Sequence, residues 1–356
     1  MSATELLKAF KKDLDVYLIE YLDQKISDAE KISPFSKEIM EHIADLTLRG
    51  GKRIRAAIFY YSYIAHGGKD RKRAMRAAMA QELAETYLLI HDDIIDNDCL
   101  RRGGTTIHES YRHIGDERYH EKISSKHFGS SVGMLAGDIA NGLSNEILAE
   151  SGFRPDHVAK ALMEFNKIYV IECYGQALDM FYQLSEGVTR DNVLQIHSLK
   201  TVPYTFDGPI RLGAILAGRS DKDIKKLEGY STSLGIAFQI QDDILGMFGS
   251  VEKLGKPVTS DLKEGKKTLL ILNALEKASR LQKEIINSSL GNKRANMHDL
   301  REVRRVIEDT WSLAESKRLA STLVQKAIDS IQPLHLQKEG KTFLLDIADY
   351  MIHREV

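Results

Sequence analysis

His91-Asp92-Asp93-Ile94-Ile95-Asp96-Asn97-Asp98, followed by Arg101-Arg102-Gly103, is the stretch on which the reading of this chain turns. Leu88-Leu89-Ile90 runs directly into it, closing an apolar pattern that begins near Asp70 and repeats at helical spacing. Asp92 and Asp96 are four apart and share a helix face, where like charges destabilise a helix by a few tenths of a kcal/mol, about 0.2–0.5. Two aspartates set against an apolar run therefore call for a compensating cation. Hard oxygen donors suit magnesium, which takes one or two carboxylates plus substrate phosphates. The pattern has a later echo, Gln239-Ile240-Gln241-Asp242-Asp243-Ile244-Leu245-Gly246, again behind an apolar run, Ile236-Ala237-Phe238. A single Asp-rich helix end usually reads as solvated surface. Two of them, both fed by apolar residues, point to a magnesium–diphosphate site with two acidic walls.

The bulk numbers agree with an enzyme-sized soluble chain. Of 356 residues, 43% are hydrophobic and 28% charged, enough for a large core. A net charge of −1 argues against a nucleic-acid partner. Cys99 and Cys173 are the only cysteines, which excludes a disulfide framework and a cysteine zinc site. No apolar run approaches the ~18–20 residues that span a bilayer; Ala56 to Ala65 is short and rich in tyrosine. The amphipathic N-terminus lacks a signal-peptide core, so the expected location is cytoplasmic.

Strand-like alternation is nearly absent. Leu6, Phe10, Leu14, Tyr17 and Tyr21 mark a first helix, and a second runs from Ser36, its expected N-cap, to Leu48. Gly50-Gly51 precedes a third helix, which ends at Gly67-Gly68, and the fourth carries the acidic stretch at its end. Residues 97–128 read as a polar, glycine-broken segment. Helices then follow from about Ser131, from Pro155 and from Thr189. The last carries Lys200-Thr201 into Pro203, where a kink would free backbone carbonyls, and Pro209 reads as a second break. Asp221 opens the helix with the second acidic cluster, a basic loop spans Lys253 to Lys267, and charged amphipathic helix runs on with a break at Pro333. With no solenoid repeat and no low-complexity linker, residues 1–356 read as one all-α domain, a bundle of ten or more helices around a central cavity.

A diphosphate also needs cations. Lys52 and Arg55 stand at a helix N-terminus, where the dipole favours anions. Arg101 and Arg102 follow the first cluster, and Lys200, Lys256 and Lys266 lie near the other elements. With these on the page, the chain resembles the trans-isoprenyl diphosphate synthases, the head-to-tail family of farnesyl and geranylgeranyl diphosphate synthases. The matching pieces are Gly50-Gly51-Lys52-Arg53-Ile54-Arg55, Asp92 to Asp96 with Arg101-Arg102-Gly103, Gly175-Gln176 with Asp179, Lys200-Thr201, Gln239 with Asp242-Asp243, Gly255-Lys256 to Lys266-Lys267-Thr268, and Ala348-Asp349-Tyr350 with Arg354. They cover nearly the whole chain in the family's order.

The resemblance implies the isoprenoid synthase fold, a homodimer, and ionisation–condensation–elimination between isopentenyl diphosphate and an allylic diphosphate. It implies three magnesium ions, two on Asp92 and Asp96 and a third on Asp242. Arg101, Lys200, Lys256 and Lys266 would hold the allylic diphosphate, and Lys52, Arg55 and Arg102 that of isopentenyl diphosphate. The Thr201 hydroxyl, the Lys200 carbonyl and Gln239 would face the allylic carbocation. No His or Glu is placed as a base, and in the family the departed diphosphate is thought to take the proton. Tyr87, about 7.5 Å below Asp92 along the helix, with Leu88 beside it, would cap the product tunnel. A single aromatic there resembles archaeal-type geranylgeranyl synthases, which implies a twenty-carbon product and leaves farnesyl and geranylfarnesyl products open.

Three features depart from the family pattern. Glu85 stands where His or Gln is usual, Ala56 replaces a proline, and the segment 112–128 is long, with His113, His120 and His127 in what reads as a solvated loop. The rivals are a class I terpene cyclase, against which Asp242-Asp243 speaks, a non-catalytic subunit of a prenyl synthase, whose one foothold is Glu85, and an intramembrane prenyltransferase, which would need spanning helices.

Overall fold

The periodicity of the sequence becomes helix almost throughout the computed structural model, which describes residues 3–119, 121–249 and 258–353. The first four helices are α1 (Ala3–Ile32), α2 (Pro34–Leu48), α3 (Ile54–Ala65) and α4 (Arg71–Asp96). A two-stranded ribbon, β1 (Leu100–Arg101) and β2 (Gly104–Thr105), leads to α5 (Ile107–Arg118), α6 (Ser125–Ala149) and α7 (Pro155–Leu184). Next come α8 (Arg190–Ile196), two π-helical turns (His197–Thr201 and Pro203–Asp207), α9 (Gly208–Leu216), α10 (Asp221–Lys225) and α11 (Glu228–Phe248). The last elements are α12 (Ser260–Glu264), α13 (Leu269–Lys277), α14 (Arg280–Ser289), α15 (Met297–Asp309), α16 (Ser312–Ile331) and α17 (Lys338–His353). The expected all-α bundle of ten or more helices is the architecture found, and no described helix is long and apolar enough to cross a membrane.

α3 is the hub. Every one of its residues is buried except Arg55, which is half-buried, and α1, α4, α9 and α17 pack around it. Two neighbours come close because they present glycine. A Cβ at Gly213 on α9 would lie 2.4 Å from the Phe59 carbonyl, and one at Gly340 on α17 would lie 2.4 Å from the Tyr61 carbonyl. Tyr61 stacks on Phe343 of α17 with ring centroids 4.0 Å apart. On α1, Leu14, Leu18 and Leu22 bury one stripe, as the pattern predicts.

Several boundaries differ from the sequence reading. Ser33, not Ser36, caps α2: its side chain accepts from the Ser36 N–H, and Pro34 occupies the first turn. The segment 97–128 is largely structured, with α5 lying along α6 around Tyr111, whose ring meets Phe128 edge-on. His113 faces Glu109 at 3.2 Å, and His120 lies outside the described residues. Neither proline breaks its helix: α8 to α9 is continuous from Arg190 to Leu216. The π turns widen the ladder, with the Val202 N–H reaching the His197 carbonyl, so the ring of Pro203 is accommodated without a stop. Gly208 completes the arrangement, since a Cβ there would fall 2.6 Å from the Pro203 carbonyl. Gly246 lies within α11, and Gly249 is its C-cap. These elements leave a cavity of about 480 Å³ lined from α3, α4, α7, the π turns, α11 and the segment 261–268.

Gly213→Ala should destabilise the protein by about 1–3 kcal/mol, the usual cost of overpacking, because its methyl group meets backbone rather than a movable side chain. Urea unfolding measures this; an unchanged midpoint would show that α9 can retreat from α3.

Candidate active site

The entrance to α3 is built by left-handed backbone. Gly50 and Gly51 have φ of 71° and 77°, and Arg53 follows at 57°. This turn drives the Arg53 side chain inward, where it donates to Asp15 of α1, Glu82 of α4 and the Thr47 carbonyl, each at 2.8 Å. Arg55, two residues on, points into the cavity instead. Its guanidinium stacks over Tyr204 at 4.3 Å and donates to the Tyr204 hydroxyl at 2.7 Å. Lys52 is exposed at the rim, 5.7 Å above the Tyr350 ring.

Arg102 reaches the same place from the ribbon. Arg102 and Gly103 form its two-residue turn with φ of 52° and 75°, the combination a type I′ hairpin needs. Arg102 donates to the Leu46 carbonyl at 3.1 Å and to Glu85 at 3.0 Å. The same Glu85 oxygen receives Arg55 at 3.1 Å. Burial alone would raise the Glu85 pKa; Arg55 and Arg102 outweigh it and hold the carboxyl below its ordinary value. The departure at position 85 is therefore a paired, cavity-lining carboxylate.

The first acidic wall separates into distinct roles. Asp92 lines the cavity, takes the Gln176 amide at 3.3 Å, and stands 3.6 Å from Lys200 and 3.4 Å from Arg101. Asp93 is buried against Arg101 at 2.5 Å, and burial pushes its carboxyl up to about 7 against the pull of that guanidinium. Asp96, raised by burial to about 6 although Lys266 opposes the shift, turns toward Lys266 at 3.3 Å. Asp96, Asp98 and Glu264 each bring a carboxylate oxygen within 4.8 Å of the others.

α7 faces this wall. A Cβ at Gly175 would lie 2.4 Å from the Lys200 backbone nitrogen, so glycine lets α7 press onto the π turns. That contact sets Asp179 3.1 Å from the Lys200 ammonium. Burial would depress the Lys200 pKa, but Asp92 and Asp179 hold it above its ordinary value. On the second wall Asp242 lines the cavity. Thr201 donates to Gln239 at 2.6 Å, Gln239 donates to Asp243 at 2.9 Å, and His197 lies 3.4 Å from Asp243. Lys266 draws together Asp96, Asp261 at 3.5 Å and Glu264 at 2.8 Å. Lys256 lies outside the described residues, as does Arg354.

Tyr87 and Leu88 are not on the wall of this cavity, where α4 presents Glu85, Leu89 and Asp92. Tyr87 turns toward α7: its hydroxyl is 3.8 Å from the Cys173 sulfur and its ring meets His91 and Tyr169 edge-on. Sequence reasoning missed Asp261 and Glu264, which lie in a segment read only for its lysines. A signal for Asp261 was present. The first cluster has Asp96 four residues after Asp92, whereas the second has Gly246 four after Asp242. A Cβ at Gly246 would fall 2.1 Å from the Asp261 carboxylate, so Asp261 fills the space that a side chain there would take. The donors on both walls are carboxylate oxygens, the set that magnesium prefers over softer metals.

Carboxylates, lysines and arginines from several helices and from the ribbon thus converge on one cavity. The polyprenyl synthetase family profile matches residues 36–307. Geranylgeranyl diphosphate synthase of Sulfolobus acidocaldarius is 35% identical over 86% of this chain and 87% of its own length. Geranylfarnesyl diphosphate synthase of Aeropyrum pernix is 31% identical over 94% of this chain and 99% of its own. Among solved structures, geranylgeranyl pyrophosphate synthase from Corynebacterium glutamicum, complexed with isoprenyl diphosphate and magnesium, superposes with a TM-score of 0.92 at 28% identity, covering 98% of this chain and 99% of that one. The chain belongs to the polyprenyl synthetase family.

Proposed function

We propose that this protein joins isopentenyl diphosphate head-to-tail to an allylic diphosphate and makes chiefly the twenty-carbon geranylgeranyl diphosphate, acting as one domain and in the cytoplasm. The observation that carries the reading is that Asp92, Asp242, Lys200, Arg101 and Lys266 all line one cavity. The name of one relative, geranylgeranyl diphosphate synthase, supports the twenty-carbon product, and that of another, geranylfarnesyl diphosphate synthase, favours the longer alternative. Magnesium, held by Asp92 and Asp96 on one wall and Asp242 on the other, would supply charge neutralisation to the leaving diphosphate, and three ions are expected. Lys200, kept ionised by Asp92 and Asp179, and Arg101, kept so by Asp93, offer fixed positive charge to the same group. Lys266 and Lys256 complete that clamp. Thr201 and Gln239, both on the cavity wall and held by the Thr201–Gln239–Asp243 hydrogen bonds, would face the allylic cation with their oxygens, together with the Lys200 carbonyl. Lys52, Arg55 and Arg102 hold the diphosphate of isopentenyl diphosphate, and its double bond attacks the allylic cation; the departed diphosphate takes the proton.

A homodimer is part of the proposal. Met163, Val170, Tyr174, Phe181 and Leu184 lie on one exposed face of α7 at steps of seven, four, seven and three, with Leu184 90% exposed. That spacing is a helix-packing seam, and Met134 and Leu135 of α6 are exposed as well. Light scattering should give a mass near twice 40.2 kDa, and Tyr174→Arg should shift it toward the monomer; a wild-type monomer would overturn the proposal.

The activity test uses isopentenyl diphosphate, magnesium and primers of five, ten and fifteen carbons, with product sizing. Elongation should stop with EDTA, and Asp92→Asn or Asp242→Asn should lower kcat by about 10²–10³ or more, the scale of losing a main electrostatic stabiliser. No elongation from any primer would leave the non-catalytic-subunit reading. Tyr87→Ala should lengthen the product by opening the space between α4 and α7. If product size does not change, the floor lies elsewhere, with Leu89 the next residue to vary.

A further inference from the structure

Glu85 sits where the proposed role of Arg55 and Arg102 requires an anion to sit. One of its oxygens receives both guanidinium groups, at 3.1 and 3.0 Å, and the three side chains are 12–16% exposed. Each arginine is anchored elsewhere as well, Arg55 by Tyr204 and Thr205 and Arg102 by the Leu46 carbonyl. The fork therefore has other supports besides Glu85. We propose that Glu85 is an internal competitor for this seat: a resident carboxylate that the incoming diphosphate must displace, lowering affinity for it and narrowing the preference for diphosphate over monophosphate. The inference rests on the reading that Lys52, Arg55 and Arg102 seat the diphosphate of isopentenyl diphosphate.

The argument is one of charge and geometry. A guanidinium presents a planar fork that binds carboxylate and phosphate through the same N–H groups, so two anions on one pair of arginines compete directly. If both stay, like charges a few ångströms apart in a half-buried site repel with little screening. Glu85 also cancels one of the three positive charges at the seat. A monophosphate ester carries a charge of about −1.5 to −2, and a diphosphate ester carries more, so the residual positive charge suits the smaller anion comparatively better. Glu85 cannot step aside toward its own helix, because Glu82, one turn back, is buried and already paired with Arg53.

The sign of the effect separates this role from a merely structural one. A carboxylate that only braced the arginines would, on removal, leave binding weaker; a competitor leaves it tighter. Titration calorimetry of the full chain without metal would measure dissociation constants for isopentenyl diphosphate and isopentenyl monophosphate in wild type, Glu85→Gln and Glu85→His. Both variants should bind the diphosphate about tenfold or more tightly, with a smaller gain for the monophosphate, and KM for isopentenyl diphosphate should fall in step. The two variants guard against a single failure of folding. A wild type that elongates primers while neither variant tightens the diphosphate overturns this inference alone. A wild type that neither binds isopentenyl diphosphate nor elongates overturns both it and the reading beneath it.

Discussion

Arg53 carries a charge that its chemistry does not allow it to lose, and it is 1% exposed. That is tolerable only because Glu82 and Asp15 meet it with well-directed bonds. Removing one partner from such a buried pair costs about 3–5 kcal/mol, since the other is left charged and unpaired. The pairing joins α1, the end of α2 and α4 at one point, and it sets the direction of the chain entering α3. From that direction follow the inward turn of Arg53, the outward turn of Arg55, and the meeting of Arg55 with Arg102 and Glu85. The buried Arg53 pairing thus helps decide where Arg55 and Glu85 stand.

Behind the cavity wall, burial and charge pull against each other. Burial raises Asp93 and Glu172 to about 7 and Asp96 to about 6, although Arg101, Lys200 and Lys266 respectively pull the other way. At these three carboxylates burial outweighs the nearby cations. Carboxylates in this condition would gain from an added positive charge, and hard divalent cations suit oxygen donors. The lysines are in the mirror situation: Lys200 and Lys266 stay charged because acids surround them. Each set holds the other in place: Asp92 and Asp179 flank Lys200, and Asp96, Asp261 and Glu264 flank Lys266.

Much of this was legible in the sequence because it rests on period and on local chemistry. The apolar run into Asp92 marked α4 and its end, the Gly-Gly-Lys-Arg element marked the turn into α3, and Thr201 and Gln239, both singled out from the sequence, are hydrogen-bonded to each other. What escaped depends on tertiary partners. Asp92 and Asp96 share a face by spacing, yet Lys266, far along the chain, draws Asp96 toward Glu264. Tyr87 was placed by its distance along the axis, whereas its direction is set by Cys173 and Tyr169 on another helix. Pro203 and Pro209 look like breaks to any local rule; the π turns and Gly208 absorb them. α5 was missed because its stripe is carried by few residues, Ile107 and Tyr111 chief among them, amid many charges.

The ribbon after α4 has a bearing on which changes of length the chain can accept. Leu100 pairs with Thr105 and Arg101 with Gly104, around a turn of only Arg102 and Gly103. The ribbon is clamped at its base, where the Thr106 N–H meets the Cys99 carbonyl and the Thr106 hydroxyl meets that of Asp98. One added or deleted residue between Asp98 and Thr106 would slip the register and turn side chains to the opposite face. Arg101 would leave Asp93, and Arg102 would leave Glu85. Insertions that a surface loop would absorb are thus forbidden here, and the acidic stretch and its two arginines behave as a single ruler of fixed length.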